Sequence, residues 1–62
     1  MNREEFERRA ATALSKVSSA KEAADGLETF KKLVDEIEPE ADRSMAYLQL
    51  ESFELARRAY EE

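Results

Sequence analysis

Cysteine, histidine and tryptophan are absent from this 62-residue chain, and glycine and proline occur once each. Without cysteine there is neither a disulfide framework nor a thiolate metal site. Without histidine the usual neutral-pH base and the commonest metal ligand are missing, and with both gone the Ser-His-Asp type of triad and the zinc sites are excluded. No uninterrupted apolar run approaches membrane-spanning length. The opening "NREEFERR" is charged where a secretory signal requires an apolar core, so the expected location is cytoplasmic, with stability from packing alone. Fifteen acidic residues against ten basic ones give a net charge of −5, which argues against duplex DNA or anionic lipid as a partner.

What is present is helical. Alanine, glutamate, leucine, arginine and lysine dominate, β-branched residues are scarce, and apolar positions recur at steps of three and four. Phe6, Ala10, Ala13, Val17, Ala20, Ala24 and Leu27 form one such series, the apolar face of an amphipathic helix. Glu4 with Arg8 and Glu5 with Arg9 add acid-before-base pairs one turn apart.

Two places compete to end that helix. "DGLE", Asp25 to Glu28, sets the only glycine beside a good N-cap, and "SSAKE" offers Ser19 and Glu22 as a capping box. The glycine is the preferred break, because it both terminates helices and weakens their interiors. An unbroken helix is the third option, since the apolar stripe runs through both places. A second helix carries Leu27, Phe30, Leu33, Val34 and Ile37. Pro39 then fits the first turn of a third helix, with Glu40 and Asp42 at its positive pole and Arg57 and Arg58 near its negative one. "GLETFKKLVDEIEP" followed by "MAYLQL" resembles the tail of a tetratricopeptide repeat, with Gly26 in place of a small alanine and the proline one position late. One partial unit cannot stack into an array, so the resemblance implies no function.

The segment "AYLQLESFELARRAY", Ala46 to Tyr60, is the most informative. At helical spacing Met45, Leu48, Ser52, Leu55, Ala56 and Ala59 fill one sector, and Ala46, Leu50, Phe53 and Tyr60 fill the next. Together they cover more than half the circumference, against the roughly 100° stripe of a surface helix. A three-helix bundle, in which each helix touches two others, accounts for most of that arc. The rest, with Tyr47 and Leu50 at the polar edge, is expected to face another chain.

Other chemistries fare poorly. Glu36 and Glu40 read as solvated acidic surface, "DGLETF" lacks the alternating oxygen ligands of a calcium loop, and the dibasic pairs each have acidic neighbours. The sequence therefore predicts an all-α, single-domain three-helix bundle over residues 1–62, with helices at about 3–24, 26–38 and 40–61. Its expected role is a non-enzymatic protein–protein interaction module, binding itself as a dimer or another helical protein. Tyr47, Leu50, Phe53 and Tyr60 are the candidate interface residues, and no catalytic residue, cofactor, metal or small-molecule substrate is expected. The alternative is a designed or engineered bundle without natural activity, which richness in helix formers and lone boundary-forming Gly and Pro would also fit.

Overall fold

The computed structural model describes residues 1–38 and 41–61. It consists of α1 (Arg3–Ser15), α2 (Ala20–Leu33) running on into a 3-10 turn (Val34–Glu36), and α3 (Ser44–Glu61). The described residues form an all-α three-helix bundle with no strand, about 38 Å long and 15 Å across on its Cα atoms.

Each helix brings one phenylalanine to the centre. Phe6 from α1 meets Phe30 from α2 edge-to-face, with centroids 5.6 Å apart and planes at 88°. Phe30 in turn stacks on Phe53 from α3 at 5.5 Å and 13°. Such pairs contribute about 0.5–1.5 kcal/mol each beyond the area they bury. Ala10, Val34, Ile37 and Ala46 close around them, and Leu14, Val17, Leu27, Leu33 and Leu50 pack on the outside of this cluster. The alanines on α1 and α3 let the backbones approach closely enough for three rings to fill the shared space.

Helix boundaries follow capping and not the glycine. Gly26 lies inside α2, so the expected break at Asp25–Gly26, and with it a first helix reaching residue 24, does not occur. The break is the one offered by "SSAKE". Lys16 caps α1, its amide donating to the Ala13 carbonyl and the Val17 amide to that of Leu14, and Ser19 takes an extended conformation and caps α2. Its Oγ accepts the Glu22 amide at 3.2 Å, while Ser18 Oγ donates to the Glu22 carboxylate at 2.9 Å. Two consecutive serines thus satisfy both ends of Glu22, and this outweighs the intrinsic weakness of one helical glycine. The apolar stripe survives the break because Phe6, Ala10 and Ala13 of α1 and Leu27 and Phe30 of α2 turn to the same core.

Gly26 has a different task. It keeps a negative φ, so it is no left-handed cap, but a Cβ built on it would lie 2.5 Å from Phe53 Cε1 and 2.8 Å from Cδ1. The absence of a side chain lets the Phe53 ring lie directly on the α2 backbone.

The second expected helix, 26–38, is also corrected. α2 ends at Leu33, the 3-10 turn follows, and Ile37 is extended with ψ 137°, turning its side chain into the core. Pro39 and Glu40 lie outside the described residues. The third helix begins at Ser44, later than expected, because Asp42 Oδ1 accepts the Ser44 amide at 2.9 Å and its hydroxyl as well. Residues 36–38, at the end of the 3-10 turn, are tied down from two sides. Arg43 donates to the Ile37 carbonyl at 2.6 Å, and Met1 both donates to the Glu36 carbonyl and accepts the Glu38 amide. α1 starts after Asn2, whose side chain accepts the Glu5 amide at 2.8 Å. Of the two ion pairs expected on α1, Glu5–Arg9 forms at 2.6 Å. The other pair among the described residues of this helix is Arg3–Glu7 at 3.7 Å, not Glu4–Arg8.

Gly26→Ala gains about 1 kcal/mol of helix propensity but drives a methyl into a buried ring, which costs about 1–3 kcal/mol. The expected net result is destabilisation in urea unfolding, relieved when Phe53→Leu is added, so that the pair is non-additive. Ser19→Ala is expected to remove about 1 kcal/mol, whereas Asp25→Asn, exposed in mid-helix, changes stability by less than about 0.5 kcal/mol. Equal effects at Ser19 and Asp25 would contradict the assigned cap.

Candidate functional site

Among the described residues, the large hydrophobic side chains left exposed all belong to α3: Met45, Tyr47, Leu48, Leu55 and Tyr60. The inward face of the helix carries Ala46, Phe53 and, at its margin, Leu50. Met45, Leu48 and Leu55 project from a face roughly 150° further round, given about 100° per residue. With Ser52 and Ala59 they form the series 45, 48, 52, 55, 59, whose alternating steps of three and four make one continuous seam. Leu48 is 51% and Leu55 62% exposed, which is far from the core behaviour of their neighbours.

The four residues singled out from sequence separate accordingly. Phe53 is fully buried between Phe30 and Gly26, so within the protomer it is a core residue and presents nothing to a partner. The reason is geometric: Gly26 leaves α2 open to a ring, and Phe53 fills that opening. Leu50 is half-buried and packs against the core, and Tyr47, 57% exposed, stands beside it. These two line an open groove of about 350 Å³ with Lys31, Val34 and Asp35 from the end of α2. Tyr60 is about half exposed, and its hydroxyl donates to the Val17 carbonyl at 3.4 Å, a long bond that fastens the last turn of α3 to the α1–α2 connection. The structure therefore brings Tyr47 and Leu50 together and leaves Phe53 and Tyr60 apart from them.

Periodicity places Met45, Leu48 and Leu55 in the apolar arc without marking them as surface residues. Their heptad-like spacing on a single helix is the signal that could have done so. The adjacent sector with Phe53 hides it, being equally apolar, since periodicity does not say which of two neighbouring faces turns inward.

Charged side chains border the seam on one flank, and an ion-paired cluster lies beyond them on the far side of α3. Glu51 is exposed beside it, and Arg58 is exposed one heptad later. Glu54 holds Arg57 through a short contact to Nη2 and a 3.1 Å bond from Nε, and Arg58 approaches the same carboxylate at 3.4 Å. Arg57 also donates to Glu61 at 2.8 Å. The Arg57 contact holds the Glu54 carboxyl below its usual range, and Glu54 raises the Arg57 guanidinium further above its own. At the other end of α3, the Ser44 hydroxyl and amide hold Asp42 below the ordinary aspartate value.

A second open depression, about 380 Å³, lies among Asn2, Arg3, Glu4, Ala41 and Asp42 and is lined by side chains of both charges. No group of three acidic, histidine or cysteine side chains suited to a metal occurs among the described residues. No helix among them is long and apolar enough to cross a membrane. Glu7 Oε1 and Arg43 Nε are buried without a hydrogen-bond partner, the former with Arg3 Nε at 3.7 Å.

Asp42 and Glu54 share a sign: each has a lowered pKa in the folded chain, so each stabilises above its unfolded value and loses that effect as pH falls through the folded one. Acidification from about pH 4.5 to pH 2 is therefore expected to fray α3 at both ends. The amide shift of Ser44, followed by NMR, should titrate with a midpoint below the ordinary aspartate value of 3.8, and a midpoint at or above it would dismiss the Asp42 cap. No family model matches the chain, and neither a curated protein nor a solved structure shows significant similarity to it.

Proposed function

We propose that the chain is a small protein–protein interaction module that binds a helical partner through the outward apolar face of α3. One observation carries this reading: among the described residues, exposed large hydrophobics are confined to α3, and three of them share one seam with Ser52 and Ala59. Contiguous apolar surface of this kind, bordered by polar and charged residues, is characteristic of interaction sites. Scattered single exposures would need no explanation.

The mechanism is helix-on-helix packing. Leu48 and Leu55 serve as anchors, Met45 adapts to the partner's contour, and Ser52 and Ala59 leave space for its side chains. Glu51 and Arg58 on one flank favour a partner with complementary charges and disfavour others. Tyr47 and Leu50 border the groove at the end of α2, on the other side of α3, and are not part of this seam.

The division of α3 into an inner and an outer face is open to test by substitution. Leu48→Lys together with Leu55→Lys should leave the urea-derived stability within about 0.5 kcal/mol of the parent, as surface substitutions do. Phe53→Ala should cost about 3–5 kcal/mol and unfold much of the population. For binding itself, amphipathic helical peptides selected by display on the parent protein should lose binding to the Leu48→Lys, Leu55→Lys variant. Selection that yields no helical binder, or binders indifferent to the two substitutions, would reject the reading.

A further inference from the structure

Resting on that reading, we infer that the partner of the α3 seam is a second copy of this chain, packed antiparallel with Ser52 of one copy opposite Leu55 of the other. Two features of the seam single out this arrangement.

The first is size. Along 45, 48, 52, 55, 59 the side chains run large, large, small, large, small. In a parallel dimer each seam residue meets its own equivalent, so Ser52 faces Ser52 and Ala59 faces Ala59, leaving gaps between layers of paired leucines. In the antiparallel register just stated, Ser52 receives Leu55 and Ala59 receives Leu48, and the two-fold axis repeats both contacts. Every small residue then faces a large one, which is how apolar layers interdigitate without voids. The contact is isologous, so it closes at two copies.

The second is charge. In heptad terms the seam residues occupy positions a and d, and Glu51 and Arg58 both occupy g. Antiparallel pairing sets g against g, and in this register Glu51 of each copy lies beside Arg58 of the other. The alternative antiparallel register, one heptad removed, opposes Glu51 to Glu51. Parallel pairing sets Glu51 against Ala56. Of these three arrangements, only the stated register gives opposite charges on the flank of the seam. Both side chains point to solvent: Glu51 and Arg58 are exposed, and the ion contact of Arg58 among the described residues is a 3.4 Å approach to a Glu54 that Arg57 already occupies. On the other flank, Gln49 meets Ala56, with no charge to oppose the approach. Phe53, Ala46 and the core face point elsewhere, so both bundles keep their internal packing.

A single helix face belongs with small interfaces, below about 1,200 Å² in total, so the dimer is reversible and is read across a dilution series. The experiment is sedimentation equilibrium on the full chain and on Glu51→Arg, Arg58→Glu, their equimolar mixture, and the double variant. Each single reversal places two like-charged pairs on the flank and should weaken self-association about tenfold. The mixture should recover association as a heterodimer, because both flanking positions are then cationic in one variant and anionic in the other. The double variant should recover it as a homodimer, with each pair restored in the opposite sense. Circular dichroism melts on the same samples should show all of them folded.

A parent chain that stays monomeric at about 1 mM would overturn the second-copy inference. The display selection would still decide the broader interaction reading. Association that Leu55→Lys abolishes but the charge reversals leave untouched would overturn the antiparallel register and keep the seam. Recovery in both the mixture and the double variant is the result that supports the inference.

Discussion

The fold depends on the contact between Phe53 and the backbone of α2 at Gly26. A ring can stack on Phe30 only if α3 comes close to α2, and α3 can come close only where α2 has no side chain. That single approach fixes the rotation of α3 about its own axis. Once Phe53 points inward, Ala46 and Leu50 turn in with it, while Met45, Leu48 and Leu55 turn out. The exposed seam is therefore a consequence of the core and not an independent feature of the surface.

Around this contact, polar groups define where the helices begin and end. Asn2, Ser19 and Asp42 each supply an oxygen to an amide that the helix itself leaves unsatisfied, and none of them belongs to the core cluster. Arg43 and Met1 hold residues 36–38 against the end of the bundle, allowing Ile37 to be buried from an extended backbone. In so short a chain the core is small relative to its surface, and a few caps at about 1 kcal/mol each weigh heavily against a total margin of only a few kcal/mol. The proposed association would add to that margin in proportion to the logarithm of concentration, since binding to the folded form alone stabilises it.

How far the chain can be read in advance differs by element. The all-helical character, the presence of three helices and the start of α1 at Arg3 follow from periodicity and composition. Ser19 and Gly26 both offer local signals for the first break, and preferring the glycine is mistaken because glycine has two meanings. It can end a helix through a positive φ, or it can sit within one to admit a neighbour, and only the neighbour distinguishes them. At the proposed interaction face, the helix and its excess of apolar surface are legible from spacing. The sector is not: spacing alone makes Phe53 look like an anchor for a partner and gives Leu48 and Leu55 no distinction.

The amino-acid order by itself determined the class of the fold, the Ser19 cap as one of two competing signals, and the fact that α3 carries more apolar surface than one face can use. These are local properties, set by residues within a turn or two of each other. Only the tertiary structure decided which face of α3 turns inside, because that choice lies in a contact between residues 26 and 53, neither of which signals it without the other. Two adjacent apolar sectors have nearly the same periodicity, and it is the space above one glycine that makes them different.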